Sequence, residues 1–346
     1  MATPGQGRIE RRLAAILAAG MGRREFVTLL SGGALAWPLA ARAQQAAKVP
    51  VVGILTPAAG ETSPTIEAFR RAMRDLGYVE GQTVRIDLRV AKGDFNALPR
   101  LAAELASIPA DVIVTDTTSA TQSAFGATRT IPIVMAATGG DPVALGLAKS
   151  MARPGANVTG LLLRSSELNP KRLELLKQAF AGISRVAVLV NPTSAIGPPG
   201  LQATQEAGKI LGIEVSALEA STPAQLRALQ PDALANPDGL MVLPDGMVWQ
   251  NRAIIVSLAA AARKPAIYPE REYADDGGLI TYGANVPEHF RLAAGYVDRI
   301  LRGANPAELP IDQSTKLDFV VNLRAARALG LKVSADFLSG ANEVIE

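Results

Sequence analysis

The chain has 346 residues, of which 48% are hydrophobic, 19% charged and 4% aromatic. That balance can bury a large core, leaves room for two domains of ordinary size and excludes an intrinsically disordered chain. The net charge of +3 sits at the front: residues 1–43 hold six arginines against two glutamates, +4, and the remainder holds 29 basic against 30 acidic residues, −1. The body therefore carries no nucleic-acid footprint.

There is no cysteine and one histidine, His289. This excludes disulfides, thiolate zinc sites, a cysteine nucleophile, a lipid-modified N-terminal cysteine, multi-histidine metal centres and a Ser-His-Asp triad away from His289. No cofactor is expected.

Residues 1–43 read as a leader. Met21-Gly22-Arg23-Arg24-Glu25-Phe26 opens a charged start, Val27 to Leu39 is a short apolar run, and Ala41-Arg42-Ala43 precedes Gln44. This is the plan of a secretory signal with an A-x-A cleavage site, its apolar run too short to span a bilayer. The paired arginines before Phe26 resemble a twin-arginine export signal, and Met21 is a plausible true start. The expected location is the periplasm, with the leader cleaved near Ala43.

In the body, Val51–Leu55 reads as a buried strand ending at Thr56-Pro57. Ser63-Pro64 starts a helix with Ile66, Phe69, Met73 and Leu76 on one face and Gly77 at its end. Val84–Val90 alternates as a second strand, and Leu98, Leu101, Ala102 and Leu105 mark a second helix. From Asp111 to Gly146 the order is strand, polar loop, helix, strand, polar loop, helix, with short β-branched runs at Val112–Val114 and Ile131–Val134. Parallel, doubly wound packing follows from this alternation.

Arg153 to Gly160 is a Pro/Gly-rich break, read as a crossing into a second lobe where the alternation restarts. Strands are expected at Val186–Val190, Glu214–Leu218, Leu240–Leu243 and Ala266–Tyr268, with helices from about Leu201 to Leu211, Pro223–Leu234 and Gln250–Ala262. Leu279–Tyr282 is expected to return to the first lobe. Asn285 and Glu288 open a helix bearing Phe290, Ala294, Val297 and Leu301, with His289 off that stripe as a surface side chain. Leu317–Val321 returns to the second lobe, followed by a terminal helix Asn322–Leu329.

The fold class is therefore α/β: two doubly wound parallel-sheet lobes joined by a multi-crossing hinge. The expected lobes are 48–158 plus 283–312, and 159–282 plus 313–346. Two such lobes around a hinge form a cleft that closes on a ligand.

In open α/β sheets, ligands bind outside the carboxyl ends of the strands. The loops there are Thr115 to Ser119, Thr138 to Pro142, Asn191-Pro192 and Pro244-Asp245. Ser119 and Asp141 can equally do no more than cap helices. For a zwitterionic solute, Thr117, Thr118 and Ser119 would hold a carboxylate at a helix start. Asp141 and Asp245 would hold an amine, and Asn191 either end. Thr138 belongs to the same set of loops, Thr56 completes the rim, and Tyr268 would stack on the solute or else sit in the core. Glu272 and Tyr273 would line the mouth or lie on a solvated loop.

Several segments resemble one family. They are RREFVTLL and AARAQQ in the leader, LGYVEGQ (Leu76–Gln82), IPIVMAATGGDPVALGL (Ile131–Leu147), ARPGANVTG (Ala152–Gly160), KRLELLK (Lys171–Lys177), RVAVLVNP (Arg185–Pro192), YPEREYADDGGLITYG (Tyr268–Gly283) and NLRAARALGL (Asn322–Leu331). Together they cover nearly the whole chain from Met21. The chain resembles the extracytoplasmic substrate-binding proteins of ABC transporters, in the branch related to tryptophan/tyrosine-type binding proteins. The resemblance implies a type I periplasmic-binding-protein fold and delivery of a small solute, an amino acid or related organic acid, to an ABC permease in the inner membrane. It implies no catalysis and no nucleic-acid partner; a monomer is expected because bilobal closure works in one chain. A periplasmic sensor module would share the fold. An exported hydrolase is the remaining alternative, against which stand the missing G-x-S-x-G elbow and the single histidine.

Overall fold

Small polar residues and prolines at the strand ends set where each helix begins. In the computed structural model, which describes residues 49–57, 60–163, 165–313 and 316–346, strand β1 (Val51–Thr56) leads into helix α1 (Pro64–Asp75). Ser63 caps that helix, its hydroxyl accepting from the Ile66 N–H at 3.3 Å, and Pro64 takes the first turn. Strand β2 (Arg85–Val90), helix α2 (Leu98–Ser107), strand β3 (Val112–Thr115), helix α3 (Thr118–Ala127), and strands β4 (Ile133–Thr138) and β5 (Val158–Leu162) follow. The leader and its cleavage near Ala43 lie outside the described residues.

The second half runs through α4 (Asn169–Ala179), β6 (Arg185–Val190), α5 (Gly197–Leu211), β7 (Glu214–Glu219), α6 (Pro223–Ala228) and β8 (Gly239–Val242). It continues through α7 (Gly246–Gln250), α8 (Arg252–Ala261), β9 (Ala266–Tyr268), α9 (Glu272–Asp275) and β10 (Ile280–Ala284). The chain ends with α10 (Val286–Leu301), β11 (Ile311–Gln313), β12 (Leu317–Asn322), α11 (Leu323–Leu329), α12 (Ala335–Ser339) and β13 (Glu343–Ile345).

Two sheets result. The first has six strands in the order β11-β5-β4-β3-β1-β2, all parallel. The second has seven, β13-β12-β10-β9-β8-β6-β7, parallel except where β10 meets β12. Both are covered on both faces, as parallel sheets require. Along β1, Val52 and Ile54 face α1 and α10 through Phe69, Met73, Phe290 and Val297, whereas Val51 and Leu55 face α2 and α3 through Leu98, Leu101, Leu105 and Ala124. Each of the larger buried apolar side chains contributes roughly 1.5–3 kcal/mol by leaving water. The second sheet packs α4, α5 and α11 on one face and α7 and α8 on the other.

Several local expectations are revised. The segment Asp141–Ser150 forms turns, not a helix, because Asp141 Oδ1 accepts from the Val143 and Ala144 N–H groups in a tight turn that Gly146, at φ 69°, then redirects. Pro231 divides the expected Pro223–Leu234 helix into α6 and a 3₁₀ turn. Strand β5 lies in the first sheet, past the expected boundary at 158, and β10 pairs with β9 and β12 in the second sheet instead of returning to the first. At β5, Gly160 has φ 118° and a Cβ there would clash with the Met135 carbonyl oxygen, so only glycine fits beside the irregularity in β4.

His289 is fully buried, not a surface residue. Helix α10 is sandwiched between α1 and the sheet, so its apolar face also takes in Ala293, Tyr296 and Ile300. The His289 Nδ1 lies 3.1 Å from the Ala136 carbonyl, and burial lowers its pKa.

The chain passes between the sheets three times: from β5 into α4, from β10 into α10, and from β11 into β12. At the first two passages stands Arg172, fully buried on α4. Its guanidinium donates to the Tyr282 carbonyl of β10 at 2.7 Å, to the Ser165 carbonyl and hydroxyl at 2.8 and 3.0 Å, and to Asn169 Oδ1 at 2.6 Å. One side chain thus ties two crossing segments together.

Candidate functional site

The carboxyl ends of β1, β3 and β4 in one sheet and of β6, β8 and β9 in the other face a common cavity of about 750 Å³. The first wall is built by Pro57, Phe95, Asp116 to Ser119, Gln122 and Gly139; the second by Asn191, Thr193 to Ile196, Pro244 to Met247, Trp249 and Glu270. Ser165, at a crossing, and Val286 and Phe290, from α10, complete the lining. The walls meet along one edge. Phe95 packs against the cores of both sheets, and a Cβ on Gly246 would stand 2.9 Å from its ring. A Cβ on Gly139 would stand 3.4 Å from Ile196.

The expected site residues divide into two groups. Thr117, Thr118, Ser119, Asn191 and Asp245 line the cavity. Thr117 caps α3 through the Ala120 N–H at 3.2 Å, and the Thr118 hydroxyl accepts from the Gly140 N–H at 3.0 Å, which pins the β4 loop to the helix start. Asp245 caps α7 through Val248 at 3.0 Å, while its other oxygen accepts from Asn191 Nδ2 at 3.1 Å. Asn191 Oδ1 in turn accepts from the Thr193 N–H and hydroxyl.

Thr56, Thr138, Asp141 and Tyr268 are not in the lining. Thr56 is buried behind it and donates to Asp116 Oδ2 at 2.6 Å. Thr138 closes a buried hydroxyl chain with Thr121 and Thr115, each contact 2.8 Å. Asp141 sits in its exposed turn. Tyr268 is 1% exposed and stacks on the buried Tyr273 with ring centroids 4.8 Å apart. Tyr273 therefore lies behind the wall, and Glu272, its carboxyl pKa raised by burial, is also outside the lining.

Three lining carboxylates escaped the sequence reading; of these Asp94 caps the turn before α2, accepting from the Asn96 N–H at 3.0 Å. Asp116 follows β3, and burial pushes its pKa up to about 7 although the Thr56 hydroxyl pulls it down. Glu270 follows β9, is 9% exposed and is pushed up to about 8 by burial, against the pull of Arg172 and with the push of Glu272 and Asp245. Asp116 Oδ1 and Glu270 Oε2 are both shielded from solvent and have no hydrogen-bond partner among the described residues. The signal available in the sequence was position: an acidic residue one or two places past a buried parallel strand. The described residues contain no cluster of His, Asp and Glu able to hold a metal ion. Chemically, the cavity offers hydroxyls, a helix start, aromatic faces and unpaired carboxylate oxygens: a place to hold a solute of mixed polarity.

A sequence model of ABC transporter substrate-binding proteins matches residues 51–345. The chain belongs to that family. Substrate-binding proteins of this kind are extracytoplasmic, bind small-molecule ligands and work with an ABC permease. A tyrosine-binding protein of Clostridioides difficile (strain R20291) is 27% identical over 272 residues, covering 78% of each chain. A conserved domain protein of Vibrio cholerae superposes with a TM-score of 0.78 at 25% identity, over 86% of this chain and all of that one. A Streptococcus protein solved in complex with L-Trp superposes with a TM-score of 0.76 at 21% identity, over 86% of this chain and 99% of that one, a likeness of fold. The substrate-binding protein has the type I periplasmic-binding fold. No helix among the described residues is long and apolar enough to cross a membrane.

Proposed function

We propose that this substrate-binding protein captures a small polar solute, an amino acid or related organic acid, in the interlobe cleft and delivers it to an inner-membrane ABC permease. The observation that carries this is the cavity itself: strand ends from both sheets converge on one volume of about 750 Å³, with Ser165 and Val286 from two of the chain crossings in its lining. Such a volume lies in the range of small-molecule sites. The tyrosine-binding relative supports an amino acid as the first solute to test. In this reading residues 48–158 with 283–312 and residues 159–282 with 313–346 act as the two moving bodies, their edges adjusted by the strand assignments of β5 and β10. Thr117, Thr118 and Ser119 offer the N-terminus of α3 to a carboxylate. The solute binds the closed arrangement better than the open one and shifts the population toward it, which gives the permease a surface to recognise.

The protein works as an exported monomer without catalysis, its leader removed near Ala43. The test is a thermal-shift and calorimetric screen of amino acids, aromatic acids and dicarboxylates against the purified protein. One solute should bind per chain, unchanged on recovery, and solute at ~100 Kd should stabilise by ~2.7 kcal/mol. Chemical conversion of the solute would refute a binding role.

A further inference from the structure

The cleft holds shielded carboxylate oxygens that no group among the described residues meets. Glu270 is 9% exposed, its Oε2 shielded and without a hydrogen-bond partner among the described residues. Arg172 attracts it electrostatically, but four of the five Arg172 donors are engaged by Tyr282, Ser165 and Asn169. From the opposite sheet, Asp116 repeats the arrangement: Oδ2 accepts from Thr56 and Oδ1 is shielded and unpaired. An ionised carboxylate held this way is costly unless a cation or donors meet it.

No residue of the described lining is Lys, Arg or His, so within the cavity that cation is not supplied; Arg172 and Arg252 act on Glu270 from outside the lining. The same lining includes Phe95, Trp249, whose ring also carries Arg252 at 4.8 Å from its centroid, and the nearly buried Phe290. Aromatic faces together with carboxylates are the surroundings that favour an ammonium group. Asp245, the other carboxylate of the second wall, already accepts from Val248 and Asn191 and so is less available.

We propose that the solute is recognised through a cationic amine and that Glu270 is its acceptor, with Asp116 the acceptor on the facing wall. This rests on the cleft being the solute site, and it narrows that reading by setting aside organic acids that lack an amine. A primary ammonium has three donors to distribute. With carboxylates on both lobes, the bound cation rewards closure of the cleft, because each acceptor lies on a different sheet.

The experiment is isothermal titration of the whole protein with matched solutes: tyrosine, tryptophan and leucine; their deaminated acids; and tyramine, tryptamine and putrescine. At least one amine-bearing solute should bind, and its deaminated partner should bind about a hundredfold more weakly or not at all. Glu270→Gln should weaken the amine by about thirtyfold or more while leaving the circular dichroism and the cooperative melt intact. A deaminated acid bound as tightly as its amine, silence from every amine in the panel, or indifference to Glu270→Gln each overturns the amine seat. Gly246→Leu separates that failure from failure of the cleft, because its side chain would occupy the space against Phe95. Loss of binding in Gly246→Leu with full binding in Glu270→Gln leaves the cleft standing and removes the amine seat. Binding untouched in both variants removes both. Should Gly246→Leu not fold, Ser119→Trp at an exposed position of the lining serves the same purpose.

Discussion

Burial of Glu270 costs the folded protein stability at neutral pH. Its folded pKa of about 8 stands above the ordinary 4.5, so the unfolded chain releases the proton first. The sign follows: stability is complete below about pH 4.5 and falls as pH rises toward 8. The charged groups acting on it are Arg172, Glu272, Asp245 and Arg252. His289, whose pKa is lowered, acts in the opposite sense near its own range, so the clean observable is a difference between proteins. Denaturant midpoints of wild type and Glu270→Gln should converge near pH 4 and separate toward pH 8, with the variant more stable. Curves that stay parallel across that range would contradict the assignment. Glu270 was hidden in the sequence because its neighbours in YPERE read as a solvated loop, and its burial beside Arg172 on α4 is a tertiary contact. Asp116 stood inside a loop already singled out, but its hydroxyl neighbours drew the reading to themselves.

At the scale of elements, the strand-end residues act twice, as caps and as lining. Thr117→Ala removes the α3 cap and should cost about 1 kcal/mol in a denaturant titration. Asp141→Ala removes only a surface turn contact and should leave solute affinity unchanged, with stability altered by about 0.5 kcal/mol or less. Arg172→Met should be far more costly. It strands the Tyr282 and Ser165 carbonyls and Asn169 Oδ1 in the interior, and each such orphan costs about 1–3 kcal/mol. A variant as stable as wild type would show that Arg172 is not what joins the crossings. Most helices and strands were legible because apolar period, caps and glycines agree locally, as at Ser63-Pro64 and Asn285. The Asp141–Ser150 segment was not: an acidic residue before Pro142 signals a cap in either case, and only the tertiary setting selects a turn over a helix.

On the scale of the whole molecule, the two-lobed α/β plan was readable from the alternation of strands and helices, whereas the assignment of single strands to sheets was not. Strands β5 and β10 each pair with the strand just before, β4 or β9, and with one farther along the chain, β11 or β12. No local pattern encodes that choice. Function enters at this scale too, because strand ends of both sheets line one cavity. Trp249 reports on that cavity from its position in the lining. The sequence has two tryptophans, Trp37 and Trp249. In a Trp37→Phe protein the remaining indole should change its emission saturably, at one solute per chain, as the solute identified by calorimetry is added. Calorimetric binding that leaves the Trp249 emission unmoved would place the solute elsewhere and contradict the interlobe site.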